Sequence, residues 1–149
     1  MNQVEQLFQN KILGVAITSW FIAQVLKVFF TLWQDHKIDW TKMWASGGMP
    51  SSHSAFVMSL AISIGQVNGY DSSYFAIAAV LSFIVMYDAA NVRLEAGKQA
   101  AVINQIIEAI ADPNLNPEQR LKEILGHTPF QVFAGGVLGL VVALLSFPC

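Results

Sequence analysis

Four long apolar segments constrain this chain more than any other feature of its sequence. They cover about residues 11–33, 51–67, 73–92 and 130–147. Only helices and closed barrels satisfy their own backbone hydrogen bonds in a bilayer, and a helix of about 20 apolar residues spans its core. Since 54% of the 149 residues are hydrophobic and only 12% are charged, the charged coat of a soluble domain is missing. The sequence predicts an all-α integral membrane bundle with about four transmembrane helices, in one domain over residues 1–149.

Two long polar connections, residues 34–50 and 93–129, fall on the same side of a four-span bundle. Six of the eight Lys and Arg residues lie in them, whereas the opposite side has only Lys11. The positive-inside rule therefore predicts that these connections face the cytoplasm. Within 93–129, apolar residues at helical spacing over 102–110 and helix start and stop signals at Asn116-Pro117 and Gly126 predict two amphipathic helices at the interface.

Composition also narrows the classes of partner. A net charge of −2 provides no basic stripe for nucleic acid. The single cysteine, Cys149, and the spacing of the histidines predict no zinc site, and we expect no cofactor. Gly135, Gly136 and Gly139 lie at spacings that allow close helix approach, so a homodimer through the fourth segment is one prediction.

The most distinctive local motif is Gly-Gly-Met-Pro-Ser-Ser-His-Ser over residues 47–54. Pro50 and Ser51 are typical of a helix start, and Gly48 allows close backbone approach. The first amides of a helix are unpaired donors that attract phosphate, so Ser52 and His53 stand where they could bind a phosphoryl group and protonate a leaving oxygen. The alternative is an ordinary capped helix with an incidental histidine.

Four further polar residues lie at the same ends of the segments. Lys27 either snorkels to the headgroups or points inward as a phosphate clamp. Asp88 and Arg93 either form a structural ion pair or leave Arg93 to bind phosphate oxygens. His127 precedes the fourth segment and could be a nucleophile, a proton carrier or an interfacial residue. Two histidines with cations and helix-start amides are what phosphomonoester cleavage requires, without a metal.

The motifs together resemble the type-2 phosphatidic acid phosphatase superfamily, in particular its short divergent branch related to acid phosphatase and vanadium haloperoxidase. The matching runs are residues 47–54, Tyr-Asp-Ala-Ala-Asn-Val-Arg over 87–93, Ala-Gly-Lys-Gln-Ala over 96–100 and Leu-Gly-His-Thr-Pro over 125–129. The resemblance implies that Lys27 is the lysine of the first motif, although no Arg-Pro follows it. It implies that His53 protonates the leaving group, with Ser52 in place of the usual glycine.

The third motif of the superfamily departs most from its usual form. Arg93 and Gly97 match its start, but Gln99 stands where the nucleophilic histidine is expected. His127 followed by Gly135 resembles the end of the same motif, with Gln131 in place of the orienting aspartate. We therefore predict a split motif, in which His127 is the nucleophile and Asp88 orients it.

The sequence thus predicts a metal-independent lipid phosphate phosphatase. The expected substrate is a lipid phosphomonoester such as phosphatidate, phosphatidylglycerophosphate or a polyprenyl phosphate, and membrane lipids are the other expected partners. The catalytic residues would be His127, His53 and Asp88. The phosphate would be held by five residues: Lys27, Gly48, Ser51, Ser52 and Arg93. The main alternative is a non-catalytic protein that binds anionic headgroups or acts as a scaffold; a transporter is a weaker third option.

Overall fold

The computed structural model describes residues 2–35, 48–110, 121 and 126–147, and that part of the chain contains helices and no strand. The helices are α1 (Gln3–Phe8), α2 (Lys11–Asp35), α3 (Ser52–Asn68), α4 (Ser73–Tyr87), α5 (Arg93–Ile110) and α6 (Pro129–Ser146). The predicted all-α class is confirmed.

Three helical stretches are long and apolar enough to cross a membrane: Lys11–Trp33, Ser73–Ile107 and Pro129–Ser146. The expected fourth, α3, has only 17 residues. It lies at the centre, where it packs against α2, α4 and α6. Its buried positions are Ala, Ser, Gly and Val, and small residues of this kind let membrane helices pack closely.

Glycines of α6 make a close helix contact with α3. A Cβ on Gly135 would collide with the carbonyl of Ser51, and one on Gly139 would collide with the carbonyl of Ala55. The two glycines therefore let α6 lie directly on the backbone of α3, as their spacing predicted. Because this face is buried inside the chain, it is not available for a dimer, and a homodimer stays a prediction that would need another surface.

The end of α4 differs from the expectation of a span that stops near Val92. Asp88–Val92 forms a π-helical turn, after which α5 continues, so that residues 73–107 form one long helix. In this turn the amide of Arg93 donates to the carbonyl of Asp88 rather than that of Ala89. Such a widened turn inside a helix is often found at functional sites.

The first predicted amphipathic helix lies within α5. Val102, Ile103 and Ile106 expose their side chains on it, and its position at the membrane interface stays a prediction. The second, over about residues 116–126, lies almost wholly outside the described residues. Of that region before Gly126, the structure describes Leu121 alone. The side-chain nitrogen of Asn104 donates to the carbonyl of Leu121 at 2.9 Å, and the side-chain oxygen of Asn104 accepts from the backbone amide of Leu121 at 3.0 Å.

Candidate functional site

The first element of the site is the start of α3, where the sequence predicted it. Ser51 is the N-cap, and its hydroxyl accepts from both the amide and the hydroxyl of Ser54, at 3.4 and 3.0 Å. The amide of Ser51 donates to the carbonyl of Gln131 at 3.0 Å, which ties this start to α6. The Ser51 hydroxyl therefore acts as a helix cap, a local role distinct from the phosphate contact expected for it.

Lys27 points inward from α2. It shares a buried face with Ala16, Ser19 and Ala23 at helical spacing, and it is 2% exposed. Its ammonium donates to the Ser52 hydroxyl at 3.1 Å, and its stem lies 3.9 Å from the place where a Cβ on Gly48 would be. Snorkelling is thus ruled out. Gly48, at φ +99°, brings the chain over the lysine in a conformation that glycine adopts easily.

The second histidine reaches the site through a tightly held approach to α6. Gly126 has φ +88°, and a Cβ there would collide with the backbone of Arg93 and Leu94. The amide of His127 then donates to the carbonyl of Ala89 at 3.0 Å. In a regular α-helix the amide of Arg93 would donate to the carbonyl of Ala89. Because that amide donates to Asp88 in the π turn, the carbonyl of Ala89 can accept the hydrogen bond from His127 instead.

His127 lies beside His53. The centroids of the two rings are 6.1 Å apart, and the planes meet edge to face at 80°. Gln99, the competing position in the third motif, is exposed on α5. The expectation that His127, and not Gln99, lies next to the His53 imidazole therefore agrees with the geometry.

The environment of His127 keeps its imidazole neutral. The residue is 1% exposed, and neither ring nitrogen has a hydrogen-bond partner within the described part of the chain. Burial, and then the positive charges of Lys27, His53 and Arg93, lower the pKa of His127 from 6.5 to about 4. A neutral imidazole with an available nitrogen lone pair is a chemically competent nucleophile.

Asp88 and Arg93 form an ion pair at the rim of the site. The Nε of Arg93 donates to a carboxylate oxygen of Asp88 at 2.9 Å, with both side chains nearly half exposed. The structure brings Asp88 to Arg93 and gives it no hydrogen bond to His127. The predicted orienting role of Asp88 therefore lacks a contact that would carry it. The positive charge of Arg93 still acts on His127.

Gln131 stands in the motif at the position of the orienting aspartate, and its side chain makes no hydrogen bond to the His127 ring. The side-chain oxygen of Gln131 accepts from the backbone amide of Thr128 at 3.1 Å, while the backbone amide of Gln131 donates to the Thr128 hydroxyl at 3.3 Å. This reciprocal pair is a capping box at the start of α6. The Thr-Pro-Phe-Gln sequence over 128–131 carried the signal, since a Thr followed three residues later by Gln is the pattern of such a box.

The sequence also missed the backbone that supports His127. Ala89 contributes only its carbonyl, and no residue type marks a π turn in advance.

For metals, no three His, Cys, Asp or Glu side chains among the described residues gather in a cluster that could hold an ion.

The fold is that of a membrane protein, and one end of its helical bundle carries a polar site suited to anions. This site contains two adjacent histidines, an inward lysine and a rim arginine. The chain belongs to the Divergent PAP2 family, whose profile matches residues 8–142. This membership confirms the resemblance found in the motifs and relates the chain to phosphatases. The chain is also 38% identical over 151 residues to an uncharacterized membrane protein, YuiD, of Bacillus subtilis (strain 168), covering 94% of this chain and 96% of that protein. No solved structure matches the chain with significance.

Proposed function

We propose that this protein hydrolyses a lipid phosphomonoester through a phosphohistidine on His127. The observation that carries the proposal is the pair of adjacent imidazoles, one of them buried, neutral and without a hydrogen-bond partner on its ring in the described residues. Burying a polar group in this way costs about 1–3 kcal/mol. A ring nitrogen that attacks phosphorus gives a chemical reason for that cost.

The reaction divides into two balanced steps. A ring nitrogen of His127 attacks phosphorus, the bond from phosphorus to the lipid oxygen breaks, and His53 gives its proton to the departing alcohol. Water then attacks phosphorus, His53 takes a proton from it, and inorganic phosphate leaves while His127 regains its lone pair. Lys27, Ser52 and Arg93 would hold the equatorial oxygens, whose charge the two cations balance.

The inward position of Lys27 supports its part in this scheme. A lysine ammonium near the hydrocarbon core is costly unless it meets oxygen atoms or another charge. Its hydrogen bond to Ser52 directs the ammonium toward the residue next to His53. Arg93, with nearly half of its side chain exposed, would meet the headgroup from outside.

A second candidate function is the binding of anionic headgroups without turnover. It is favoured by the missing orienting contact on His127, since Gln131 is engaged in a cap and Asp88 in an ion pair. A catalytic histidine that no carboxylate orients loses much of its activity in enzymes that depend on such a pair.

Phosphate release separates the two candidates. Purified protein in detergent micelles is given phosphatidate, and inorganic phosphate is measured for the wild type, His127→Ala and Gln99→Ala. Hydrolysis requires release by the wild type and by Gln99→Ala, and background levels for His127→Ala. Saturable binding of the lipid with no release would establish the binding function, and full release by His127→Ala would contradict the mechanism.

A further inference from the structure

An apolar groove lies between α3 and α4, outside the polar site. Its volume is about 390 Å³, within the usual range for a small-molecule site. Ala61 and Ile62 of α3 line one side, and Phe75, Ala79 and Phe83 of α4 line the other. Nothing in the polar chemistry of the proposed reaction uses this groove.

The floor of the groove is adaptable. Met58 and Met86 meet there over Gly136 of α6, where a Cβ would lie 3.2 Å from the terminal methyl of Met86 and 3.8 Å from that of Met58. Methionine side chains rearrange at low cost and shape themselves to an apolar ligand. The absence of a side chain on Gly136 provides the space in which they do so.

One end of the groove reaches the polar site. Tyr87, Ala90 and Asn91 line it at the π turn, and Ala89 in the same turn accepts the hydrogen bond from the amide of His127. Val132, one turn into α6, lines this end as well. A molecule in the groove would therefore have one end beside the histidine segment.

The outer side of the groove faces the membrane. Phe83 and Tyr87 are 71% and 57% exposed, and their rings stack at 6.2 Å along the outer face of α4. Phe75 and Asn91 are 16 residues apart on one continuous helix, which is a length of about 24 Å. The groove is thus nearly as long as a hydrocarbon layer is thick, about 30 Å.

We infer that this groove binds one hydrocarbon chain of the phosphate ester whose headgroup meets His53 and His127. The inference rests on the proposed function for the identity of the headgroup and adds the site that selects the tail. A volume of about 390 Å³ holds on the order of a dozen groups the size of a water molecule at about 30 Å³ each. It therefore accommodates one chain of about a dozen carbons, and a second chain stays in the bilayer.

A series of alkyl phosphates with 4, 8, 12 and 16 carbons tests the groove in mixed micelles at a fixed mole fraction. The kcat/KM should rise with chain length as far as about twelve carbons and then level off. The rise should be smaller than the roughly four-fold per methylene of a transfer from water, because the chains already lie in the hydrocarbon of the micelle. Ala79→Trp fills the groove and should abolish the rise, so that its kcat/KM on the twelve-carbon substrate falls to that on the four-carbon substrate. Ala76→Trp, on the exposed face of α4, is the matched control and should behave as the wild type.

A photoreactive diazirine at the end of a twelve-carbon alkyl phosphate tests binding independently of turnover and of any variant. We expect label on residues 58–62 of α3 or 75–86 of α4 in the wild type, competed by unlabelled dodecyl phosphate. If the wild type releases no phosphate but is labelled there, the proposed hydrolysis fails and the groove stands. Label elsewhere, or a chain-length series that Ala79→Trp does not change, would overturn the groove.

Discussion

His127 is among the largest fully buried side chains of the described residues, and its burial explains several properties of the site at once. Desolvation and nearby positive charge keep its ring neutral, and the hydrogen bond from its amide to Ala89 fixes its backbone. The sequence identified this residue through motif spacing. It could not show the burial, because that depends on how the chain returns to the bundle.

The orientation of the Lys27 side chain could not be predicted from the sequence. The same residue near a helix end snorkels or points inward depending only on the face of the helix it occupies. Here that face is set by Ala16, Ser19 and Ala23, which pack with Lys27 against the rest of the bundle. Arg93 and Asp88 form the ion pair that their spacing had also allowed, with both side chains still nearly half exposed.

Replacing His53 by Asn should lower kcat on phosphatidate by about 10²–10⁴-fold, since that is the usual contribution of a general acid. KM should change little, because the cations that would hold the phosphate remain. Steady-state phosphate release gives both constants. A large increase in KM with kcat unchanged would show instead that His53 only binds the headgroup.

The stability of the protein should fall as the pH drops from 6.5 towards 4. In this interval unfolded His127 binds a proton, whereas folded His127, with its pKa lowered to about 4, does not. The unfolded state then holds more protons and is favoured by acid, and at about 1.4 kcal/mol per pKa unit the loss at pH 5 is at most about 2 kcal/mol. Thermal unfolding in detergent at pH 7 and pH 5 measures it.

The matched variant for this experiment is His127→Asn. Without the imidazole, its melting temperature should depend less on pH than that of the wild type, whatever its absolute stability. An identical pH dependence in the two proteins would show that another group controls acid unfolding.

At the scale of helices, the sequence predicted α2, α3 and α6 to within two residues and missed the continuity of α4 and α5. Asp88 and Asn91 interrupt the apolar pattern there, and a break in hydrophobicity looks the same whether a helix ends or only leaves the hydrocarbon core. The π turn keeps the helix intact while it releases a carbonyl for His127.

Gly135→Ala should destabilise the protein by about 1–3 kcal/mol, the usual cost of overpacking. The new Cβ collides with the carbonyl of Ser51 and pushes away the start of α3, which carries His53. Thermal unfolding and phosphate release should both be impaired. Gly14→Ala is the control: no atom lies within 4 Å of its Cβ, so it should be neutral or slightly stabilising. Equal effects of the two changes would contradict the close α3–α6 contact.

At the scale of the whole molecule, Lys27, Ser52, Arg93 and His127 come from four separate parts of the chain and meet at one end of the bundle. The sequence could predict this gathering because consecutive spans alternate in direction. It could not reveal the groove between α3 and α4, since that space depends on how Met58 and Met86 pack over Gly136.

The positive-inside rule predicts that the site faces the cytoplasm. In a Cys149→Ser background, Gln99→Cys places the only thiol at an exposed position of α5. A membrane-impermeant maleimide should label it in inverted vesicles and not in right-side-out vesicles. Labelling of right-side-out vesicles alone would place the site on the other face.

Phosphohistidine formation on His127 is tested most directly by finding the phosphoryl group on the protein. Wild-type protein is mixed with phosphatidate, quenched in alkali during turnover, digested and analysed by mass spectrometry. The proposed mechanism requires an acid-labile phosphoryl group on the peptide containing His127, and this group should be absent from His127→Ala. Phosphate release with the phosphoryl group on a different residue would contradict it.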